Sequence, residues 1–386
     1  MARITLDYTA AIHQSAGIGR LTRELVRALL KTDSAHHFAL FVMGRPGPEV
    51  PLSNLLRTRD LPLRVTRLSD RWLYRLWFRL RLPIAVQWLS GSCDLYHATD
   101  FVLPPMLRGT KSVLTVHDLS FERYPDSAPP RLLPFLKHVV PQSVRRATHI
   151  VADSHATARD LMELYGVPAH KITVIHSGVD ARFSPPRGTL LEARRTAYVL
   201  QRYRLRQPFV LTVGTLQRRK NHARLVEAFA HVAKHDPDLS LVIAGGKGWL
   251  YDDVHQTIAR LGLQGRVHFT GYIEDADLPY VYRLAAVFAF PSLYEGFGLP
   301  PLEAMACGVP VVTSNTSSLP EVVGDAGLMV DPTDVHALAM ALEQALSDEA
   351  WRRQSVERGL ARAQHFSWAR AAQRLLETYE AVLQRR

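Results

Sequence analysis

The sequence of 386 residues has little cysteine and no long apolar run, and each absence excludes a class of protein. Its two cysteines, Cys93 and Cys307, are too few for a disulfide framework or a cysteine-rich zinc site. Pro291 closes the short apolar run Leu284–Phe290, and no window reaches the roughly 18 consecutive apolar residues of a spanning helix. Asp7 interrupts the first apolar stretch, so no signal peptide is predicted. We therefore expect a cytoplasmic protein without redox chemistry.

Low-complexity composition is also missing, because 22 glycines and 24 prolines are far too few for a disordered or collagen-like chain. Hydrophobic residues make up 47% of the sequence, which is near the average for globular proteins. Single hydrophobic cores rarely grow beyond roughly 250–300 residues. The length therefore predicts two globular domains.

The net charge of +11 is concentrated in the first half, since residues 1–180 carry +8 and residues 181–386 carry +3. Much of the excess lies in Arg57–Arg81, which holds eight arginines and two aspartates. Helical spacing places Arg71, Arg75 and Arg79 along one stripe, and the opposite side is lined by Leu73, Leu76, Trp77 and Leu80. This basic amphipathic segment is typical of a surface helix packed on its domain, or of a helix that binds anionic lipid or a lipid-linked acceptor; nucleic acid is a third possibility.

Strands and helices alternate along the chain, in the order typical of an α/β fold with parallel, doubly wound sheets. A first series of strands is predicted at Ile4–Tyr8, Phe38–Val42, Ser112–Val116, His149–Ala152 and Ile172–Ile175, with a helix at Gly19–Leu30. A second series is predicted at Phe209–Val213, Ser240–Ala244, Val267–Thr270, Val287–Ala289 and Val309–Thr313, with helices at His222–Lys234 and Asp252–Leu261. Ligands of such sheets bind at the carboxyl ends of the strands, so we expect two domains that face each other across a cleft.

The most informative run is Pro291–Gly308, PSLYEGFGLPPLEAMACG, which follows a predicted buried strand and leads into a short helix. Gly296 and Gly298 permit close approach of the backbone to a ligand, and either residue of the following Pro-Pro pair suits the first helical position. Gly308 suits the C-terminal cap. Free amides at the helix start favour an anion or a hydroxyl acceptor.

Glu295 and Glu303 lie eight residues apart in this run. Eight helical steps span roughly 12 Å. The paired carboxylates of glycoside hydrolases lie about 5–9.5 Å apart, so that function is rejected unless the loop folds back. Each carboxylate can accept hydrogen bonds from a sugar diol, which makes the pair a clamp for two sugar rings of one long ligand. The alternative is structural: an N-cap and a first-turn acid that stabilise the helix dipole.

The spacing of Glu295 and Glu303 within EGFGLPPLEAMACG resembles the E-x7-E element of retaining GT-B glycosyltransferases of family GT4. The resemblance covers nearly the whole chain, through Val213–Asn221, Val116–Asp118, Gly271–Ile273 and Phe366–Trp368, and is strongest to mannosyltransferase branches. It implies a GT-B fold with two Rossmann-like domains. We expect an acceptor-side domain at 1–188, a nucleotide-sugar donor domain at 189–366, and a helix at 367–386 that returns to the first domain.

The resemblance also implies roles for individual residues of the second domain. Glu295 would contact the hydroxyls of the transferred sugar, and Glu303 the ribose of the nucleotide. Arg219 and Lys220 would bind the donor diphosphate; the alternative is a solvated basic loop. Some family members have arginine where this chain has Thr215, and Arg218 or Arg219 would then compensate. The remaining predicted donor contacts are Gly214, Thr215, Gly245, Tyr272, Ile273, Gly296, Phe297, Gly298 and Leu299.

Gly17 and Gly19 lie between the first strand and the first helix of the first domain. They fail as a dinucleotide fingerprint because Thr22 occupies the third glycine position. The resemblance makes them a glycine loop that closes on the donor diphosphate. His117 and Asp118 follow a predicted strand, where the cleft is expected. By the resemblance, His117 contacts the transferred sugar and Asp118 lies toward the acceptor, on the side where Arg71 and Arg75 are also placed.

Asp275 and Asp277 have the D-x-D spacing by which another glycosyltransferase class binds a divalent metal. Here they precede Leu278–Leu284 and are predicted to cap that helix. Arg219 and Lys220 supply the positive charge that a metal would otherwise supply. We therefore predict neither a metal nor a cofactor.

The sequence thus predicts a metal-independent, retaining glycosyltransferase of polysaccharide biosynthesis. The donor would be GDP-mannose or a UDP-hexose, with mannose the first choice, and the acceptor a glycan or lipid-linked hydroxyl. A phosphorylase or an epimerase on the same fold, or a non-catalytic nucleotide-sugar-binding protein, is the alternative. Nucleic-acid binding is not expected, because no base-stacking motif is interleaved with the charge. The positive charge of Arg57–Arg81 also suggests peripheral contact with the anionic inner face of the membrane.

Overall fold

The computed structural model describes residues 1–14, 17–46, 61–249 and 252–385. These form two compact units, one from the described parts of 1–122, 130–178 and 367–386, the other from 123–129 and 179–366. The long segment of the second unit begins at Val179, whereas the second domain was predicted to begin at 189. Phe183 explains the shift, because it is buried in the core of the second unit with its ring 5.9 Å from that of Tyr282.

The first unit contains a sheet of seven parallel strands in the order β3-β2-β1-β4-β5-β6-β7 within the described residues. The strands are β1 Arg3–Asp7, β2 His37–Met43, β3 Leu63–Thr66, β4 Leu95–Ala98, β5 Lys111–Val116, β6 His149–Ala152 and β7 Ile172–Val174. Most central strand residues are buried, which explains their nearly continuous apolar runs. The strand order reverses between β1 and β4, and the carboxyl ends of such strands are where ligands bind.

Helices cover this sheet at Thr9–His13, Gly17–Leu29, Asp70–Tyr74, Gln87–Ser90, Ser120–Arg123, Leu133–Arg146, His155–Tyr165 and Trp368–Gln384. The last of these belongs to the first unit although it ends the chain. Ser367 caps it by accepting a hydrogen bond from the Arg370 amide at 3.2 Å. Its buried residues Leu375 and Tyr379 share a core with Leu25 of the helix Gly17–Leu29.

The second unit contains six parallel strands in the order β12-β10-β8-β13-β14-β15 within the described residues, and a two-stranded pair of β9 and β11. The strands are β8 Phe209–Val213, β9 Leu216–Gln217, β10 Ser240–Ala244, β11 Lys247–Trp249, β12 Val267–Gly271, β13 Val287–Phe290, β14 Val311–Ser314 and β15 Leu328–Val330. The strand order reverses between β8 and β13. The loops after β8 and β13 therefore flank the position where an open α/β sheet binds its ligand.

The helices of the second unit are Leu190–Arg202, His222–Val232, Asp252–Arg260, Leu278–Leu284, Leu299–Ala306, Leu319–Val323, Val335–Ser347 and Glu349–Ala363. Apolar side chains form one core on each face of the sheet. Both sheets are parallel and covered by helices, so the predicted α/β, doubly wound fold class is confirmed.

The basic segment differs from its prediction. Arg57 and Arg59 lie outside the described residues, and the α-helix ends at Tyr74 and continues as a π-helix at Arg75–Arg79. Leu80, predicted on the apolar side, is 61% exposed. The Leu80 amide bonds to the Arg75 carbonyl five residues earlier, so the wider turn rotates Leu80 away from the face of Leu73 and Trp77. Those two side chains are buried as predicted, and Arg71, Arg75 and Arg79 are exposed.

Among residues 1–14, 17–46, 61–249 and 252–385, no helix combines the length and the apolar character needed to cross a membrane.

Candidate active site

The loop after β8 carries the two predicted cations and is fixed to neighbouring loops of the same sheet edge. A 3₁₀ turn covers Arg218–Lys220, and Asn221 follows in the left-handed conformation with φ of 61°. The Asn221 side-chain amide donates to the carbonyls of Pro291, at 3.0 Å, and Pro332, at 2.7 Å. These loops follow β8, β13 and β15, so one buried asparagine holds three strand ends together.

Glu295 receives both cations of that loop on a single oxygen. Its Oε1 lies 2.7 Å from Lys220 Nζ and 3.0 Å from Arg219 Nη1, and it also accepts a hydrogen bond from the Ser292 hydroxyl. Arg219 donates a further bond to the Tyr294 carbonyl. Lys220 Nζ lies 4.7 Å from the centroid of the Phe290 ring, in cation–π range. The structure thus brings together Glu295, Arg219 and Lys220.

The charges of this cluster are stable because they compensate each other. Glu295 is only 8% exposed, and burial alone would raise the pKa of its carboxyl group. Arg219 and Lys220, together with the Lys220 and Ser292 hydrogen bonds, outweigh burial and lower that pKa from 4.5 to about 2. Glu295 is therefore an ionised carboxylate at any physiological pH.

The backbone around Glu295 is held by the loop after β14. The Glu295 amide donates to the Ser317 hydroxyl at 2.9 Å, and the Ser318 hydroxyl donates to the carbonyls of Glu295, at 2.9 Å, and Phe297, at 2.6 Å. Gly298 then adopts a φ of 120°, and an added Cβ would lie 2.9 Å from the Leu319 side chain. Only glycine fits at this position, directly before the helix Leu299–Ala306.

Glu303 lies within that helix and is buried, and its Oε2 accepts a hydrogen bond from the Tyr282 hydroxyl at 3.0 Å. The capping interpretation of the two glutamates is wrong: Gly298 occupies the N-cap position, Glu295 precedes the helix, and the first helical turn holds no acid. Because Glu295 is outside the helix, its separation from Glu303 is not eight helical steps. Pro300 in the first turn and Gly308, at a φ of 75° after the last turn, agree with the predicted helix boundaries.

The glycines predicted as donor contacts meet at the same sheet edge. Gly245 has a φ of 152°, and an added Cβ would lie 2.0 Å from the Gly214 carbonyl oxygen. The Gly245 amide donates to the Gly271 carbonyl at 2.9 Å, so the ends of β8, β10 and β12 are joined there. Tyr272 is half exposed next to them, whereas the Ile273 side chain is buried in the core. Any ligand contact of Ile273 would therefore involve its backbone.

His117 directly follows β5 of the first unit and is nearly fully buried. Its Nδ1 lies 2.8 Å from Asp153 Oδ2, and its Nε2 lies 2.9 Å from the Thr99 carbonyl oxygen. Burial alone lowers the pKa of His117, but Asp153 and Asp100 outweigh it and raise that pKa from 6.5 to about 9. Asp118 is half-buried, and its Oδ1 accepts a hydrogen bond from the Ser120 amide at 2.8 Å. Neither ring nitrogen of His117 is directed to an open position in this geometry.

Close packing within the first unit explains why its glycine loop has glycine at position 19. An added Cβ on Gly19 would lie 2.0 Å from the Gln14 carbonyl oxygen, so a side chain is excluded there by the chain itself. Gly17 has a φ of 21° and open space around its Cα. Gln14 in turn donates to Asp100 Oδ2 at 3.0 Å. The loop after β1 and the loop after β4 are thereby linked.

The prediction that the D-x-D pair caps the following helix is correct for the position of Asp277 but wrong for its hydrogen bonds. Asp277 precedes the helix Leu278–Leu284 but makes no side-chain cap bond. Its fully buried carboxylate instead pairs with Arg195, with Arg202 Nη1 at 3.1 Å and with the Tyr203 hydroxyl at 2.9 Å. Its charge is therefore compensated by the helix Leu190–Arg202. Asp275 lies 3.8 Å from Arg182.

Several site residues were not predicted from the sequence: Asp100, Asp153, Ser292, Ser317 and Ser318. One signal was available for Asp153, because it directly follows the apolar strand His149–Ala152, as His117 follows β5. The serines carry no comparable signal. Their role depends on which loops meet at the edge of the sheet.

Two parallel-sheet units with a carboxylate–dication cluster at a strand-order reversal define the class: a glycosyltransferase with the GT-B fold. Two family models match the chain, "Glycosyltransferase Family 4" over residues 15–183 and "Glycosyl transferases group 1" over residues 201–362. The chain belongs to glycosyltransferase family 4, the group 1 glycosyl transferases.

Among similar proteins, O-antigen chain mannosyltransferase B of Escherichia coli is 36% identical over 375 residues, which cover 95% of this chain and 96% of that protein. The serotype-specific mannosyltransferase WbdA of Escherichia coli is 33% identical over 308 residues, which cover 78% of this chain and 36% of that longer protein. The structure of Anabaena HepE in complex with UDP and glucose matches with a TM-score of 0.73, 22% identity, and coverage of 99% of this chain and all of that one. These likenesses agree with the predicted family and fold.

Proposed function

We propose that the protein transfers mannose from GDP-mannose to a hydroxyl group of a glycan or lipid-linked acceptor, with retention of anomeric configuration. The observation that carries this proposal is the cluster of Glu295, Arg219 and Lys220 at the strand-order reversal of the second sheet. The similarity to two mannosyltransferases favours mannose as the sugar. A UDP-hexose is the alternative donor, since the structurally similar HepE binds UDP and glucose.

The cluster suits a diphosphate sugar because its charges match both parts of that ligand. The diphosphate gains negative charge as the glycosidic bond breaks, and two fixed cations stabilise that charge. An ionised carboxylate accepts hydrogen bonds from sugar hydroxyls and stabilises positive charge that develops on the ring. Arg219 and Lys220 would serve the leaving group, Glu295 the sugar, and Glu303 the ribose. These residues supply the electrostatics without a metal ion.

In the described structure, Glu295 forms ion pairs with Arg219 and Lys220, the two cations that would bind the diphosphate. Donor binding would therefore exchange partners: the diphosphate replaces the carboxylate at Arg219 and Lys220, and Glu295 turns to the sugar. The acceptor hydroxyl then attacks from the face that the diphosphate leaves, and the departing diphosphate takes its proton. We assign the acceptor to the first unit, where His117 and Asp118 directly follow β5, with His117 at the transferred sugar.

We also propose a cytoplasmic location with peripheral contact to an anionic membrane surface. Arg71, Arg75 and Arg79 are exposed near the exposed apolar side chains of Trp72 and Leu80. Arginines interact with anionic lipid headgroups, and apolar side chains with the acyl boundary. This arrangement would hold the enzyme beside a lipid-linked acceptor.

A panel of nucleotide-sugars tests the donor assignment. Thermal shift and donor hydrolysis are measured with GDP-mannose, UDP-glucose and other nucleotide-sugars, with EDTA present to remove divalent metal. We expect stabilisation by GDP-mannose above the other donors, and turnover that EDTA does not reduce. Stabilisation by UDP-glucose alone would identify UDP-glucose, and not GDP-mannose, as the donor. Turnover that requires inorganic phosphate, or that needs no acceptor, would instead identify a phosphorylase or an epimerase.

Vesicle binding tests the membrane assignment. Sedimentation with anionic phosphatidylglycerol vesicles is compared for the wild type, for the triple variant R71Q/R75Q/R79Q, and for R194Q/R353Q/R358Q. The control variant removes the same charge from exposed positions of the second unit. We expect weaker binding only for the first variant, by roughly 1 kcal/mol per arginine. Equal binding of all three proteins would support the alternative of a surface helix packed on its domain.

A further inference from the structure

The two ring nitrogens of His117 are both hydrogen-bonded to groups that accept. Nε2 lies 2.9 Å from the Thr99 carbonyl oxygen, and a carbonyl only accepts, so Nε2 carries a hydrogen. Nδ1 lies 2.8 Å from the Asp153 carboxylate, which also accepts when ionised. An imidazole with hydrogens on both nitrogens is a cation. The remaining possibility is that the shared proton belongs to Asp153 and both groups are neutral.

The groups that surround His117 favour the cation. Asp153 and Asp100 both attract positive charge to the ring, and His97 on the neighbouring strand adds no opposing charge, because burial and His117 lower its pKa to about 3. Asp118 and His176 act on Asp153 in opposite directions, since Asp118 disfavours its ionised form and His176 favours it. The ring of Phe101 packs edge-on against His117, with centroids 5.4 Å apart. Burial raises the pKa values of Asp153 and Asp100, whereas a charged His117 acts to lower both, so the imidazolium is the form that compensates two carboxylates beside one buried ring.

The turn that carries Asp153 also fixes the backbone of His117. Ser154 caps the helix His155–Tyr165, and its hydroxyl accepts a hydrogen bond from the Thr157 amide at 3.0 Å. The Thr157 hydroxyl donates to the His117 carbonyl at 3.1 Å. Asp153 is itself nearly fully buried. One strand-to-helix turn thus holds both the ring and the main chain of His117.

We propose that Asp153 is a positioning residue that keeps His117 a doubly donating cation. His117 then serves the transfer as a fixed positive charge that attracts the oxygens of the substrate, and it neither gives nor takes a proton. This role rests on the proposed glycosyl transfer, but the protonation state of His117 does not. No proton-transfer step of the reaction is assigned to the Asp153–His117 pair.

The variant D153N tests the proposal. Asparagine keeps the shape and offers an amide N–H that can donate to an unprotonated Nδ1, while it removes the charge that holds the proton. Proton–nitrogen NMR of histidine-labelled protein, with the His117 signal assigned by its loss in H117Q, should show a cationic ring at pH 7.5 in the wild type and a neutral ring in D153N. The alkaline limb of the kcat profile should move to lower pH by about two units, from about 9 to about 7, which at pH 8 is roughly a tenfold loss of kcat. The KM for the donor should change by less than about threefold, because the diphosphate and ribose contacts are assigned to residues other than Asp153 and His117.

The control variant is D160N, which neutralises a second buried acid, on the helix His155–Tyr165 that follows Asp153. It should leave the His117 signal and the pH profile unchanged. A wild-type His117 that titrates near its ordinary pKa, or a D153N variant with an unaltered signal and profile, would overturn the proposal. If D153N fails to fold, the wild-type titration alone decides. A cationic His117 in a protein that transfers no sugar would reject the proposed function and leave the protonation state standing.

Discussion

The two units place opposite charges in the same kind of position. In the first, a buried histidine at the end of β5 is paired with Asp153, and Asp100 adds to the negative field around it. In the second, a buried glutamate after β13 is paired with Arg219 and Lys220. Burial opposes the charged form in both, yet the pKa of His117 is raised to about 9 and that of Glu295 is lowered to about 2. Specific partners, and not solvent exposure, keep each group ionised.

The difference lies in what a ligand would have to replace. The cations around Glu295 have a natural competitor in a diphosphate, so the cluster can exchange partners when a donor binds. The acids around His117 have no such competitor in a neutral sugar acceptor. We therefore expect the second site to rearrange on binding and the first to stay fixed. The predictions below test this contrast, from the largest expected effect to the smallest.

The substitution Lys220→Ala should have the largest effect on turnover. It removes one of the two cations that stabilise the leaving diphosphate, and loss of one such preorganised contact lowers kcat about 100- to 1,000-fold. Lys220 is a buried partner of Glu295, so the free energy of unfolding should also fall, but Arg219 still pairs with Glu295 and the fold should be kept. Steady-state transfer rates and circular dichroism measure the two effects.

The matched control is Lys234→Ala, which removes an exposed lysine from the same unit. It should retain full turnover. A Lys220→Ala enzyme that is as active as the wild type would remove Lys220 from the catalytic machinery.

The charges of His117 and Glu295 should lose their contributions to the free energy of unfolding at opposite ends of the pH scale. The folded pKa of His117 is raised, so its contribution is complete below 6.5 and is lost as pH rises to about 9. The folded pKa of Glu295 is lowered, so its contribution is complete above 4.5 and is lost as pH falls to about 2. Each contribution amounts to roughly 3 kcal/mol.

Urea unfolding of H117Q and E295Q against the wild type, at several pH values, measures both windows. The difference in free energy of unfolding between the wild type and H117Q should shrink only toward alkaline pH. The difference between the wild type and E295Q should shrink only toward acid pH. Differences that do not vary with pH would show that the two charges do not contribute to stability through ionisation.

The substitution Glu295→Gln should tighten the binding of a nucleoside diphosphate while it impairs sugar transfer. Glutamine is a neutral partner, so Arg219 and Lys220 become more available to phosphate oxygens. We expect a Kd for GDP about tenfold lower, which corresponds to about 1.4 kcal/mol. Isothermal titration calorimetry measures it.

Two controls separate this exchange from a general charge effect. E343Q removes an exposed acid of the same unit and should leave GDP affinity unchanged. In a K220M background, the gain from E295Q should be smaller, because one of the two released cations is gone. Weaker or equal GDP binding by E295Q would refute the exchange of partners.

The smallest expected effect is that of Tyr282→Phe. It removes the hydroxyl that donates to Glu303 and leaves the buried ring in place. A single hydrogen bond contributes about 0.5–1.5 kcal/mol, so GDP affinity should fall by about tenfold or less. The variant Y280F, on the same helix, should bind GDP like the wild type.

The strands were predictable where the sheets are buried on both faces. Phe209–Val213, Ser240–Ala244 and His149–Ala152 have the predicted bounds, because parallel strands covered by helices require continuous apolar runs. β3 and β4 were not predicted. Leu63–Thr66 mixes polar and apolar residues, and Leu95–Ala98 contains His97, which is buried only because Tyr379 and Thr115 bond to its two nitrogens. Tyr379 lies 282 residues further along the chain, so no local pattern indicates this pair.

By itself, the sequence determined the fold class, the position of the helix after Gly298, and the glutamates and cations to examine. These follow from local rules: apolar runs, glycines where a side chain has no space, and residue types that match a diphosphate sugar. Tertiary structure alone decided which charges compensate which. It paired Glu295 with Arg219 and Lys220, Asp277 with Arg195 and Arg202, and His117 with Asp153. The physical reason is that a buried charge depends on partners that folding brings together from distant strand ends. Local sequence patterns do not indicate which of these distant residues will be in contact.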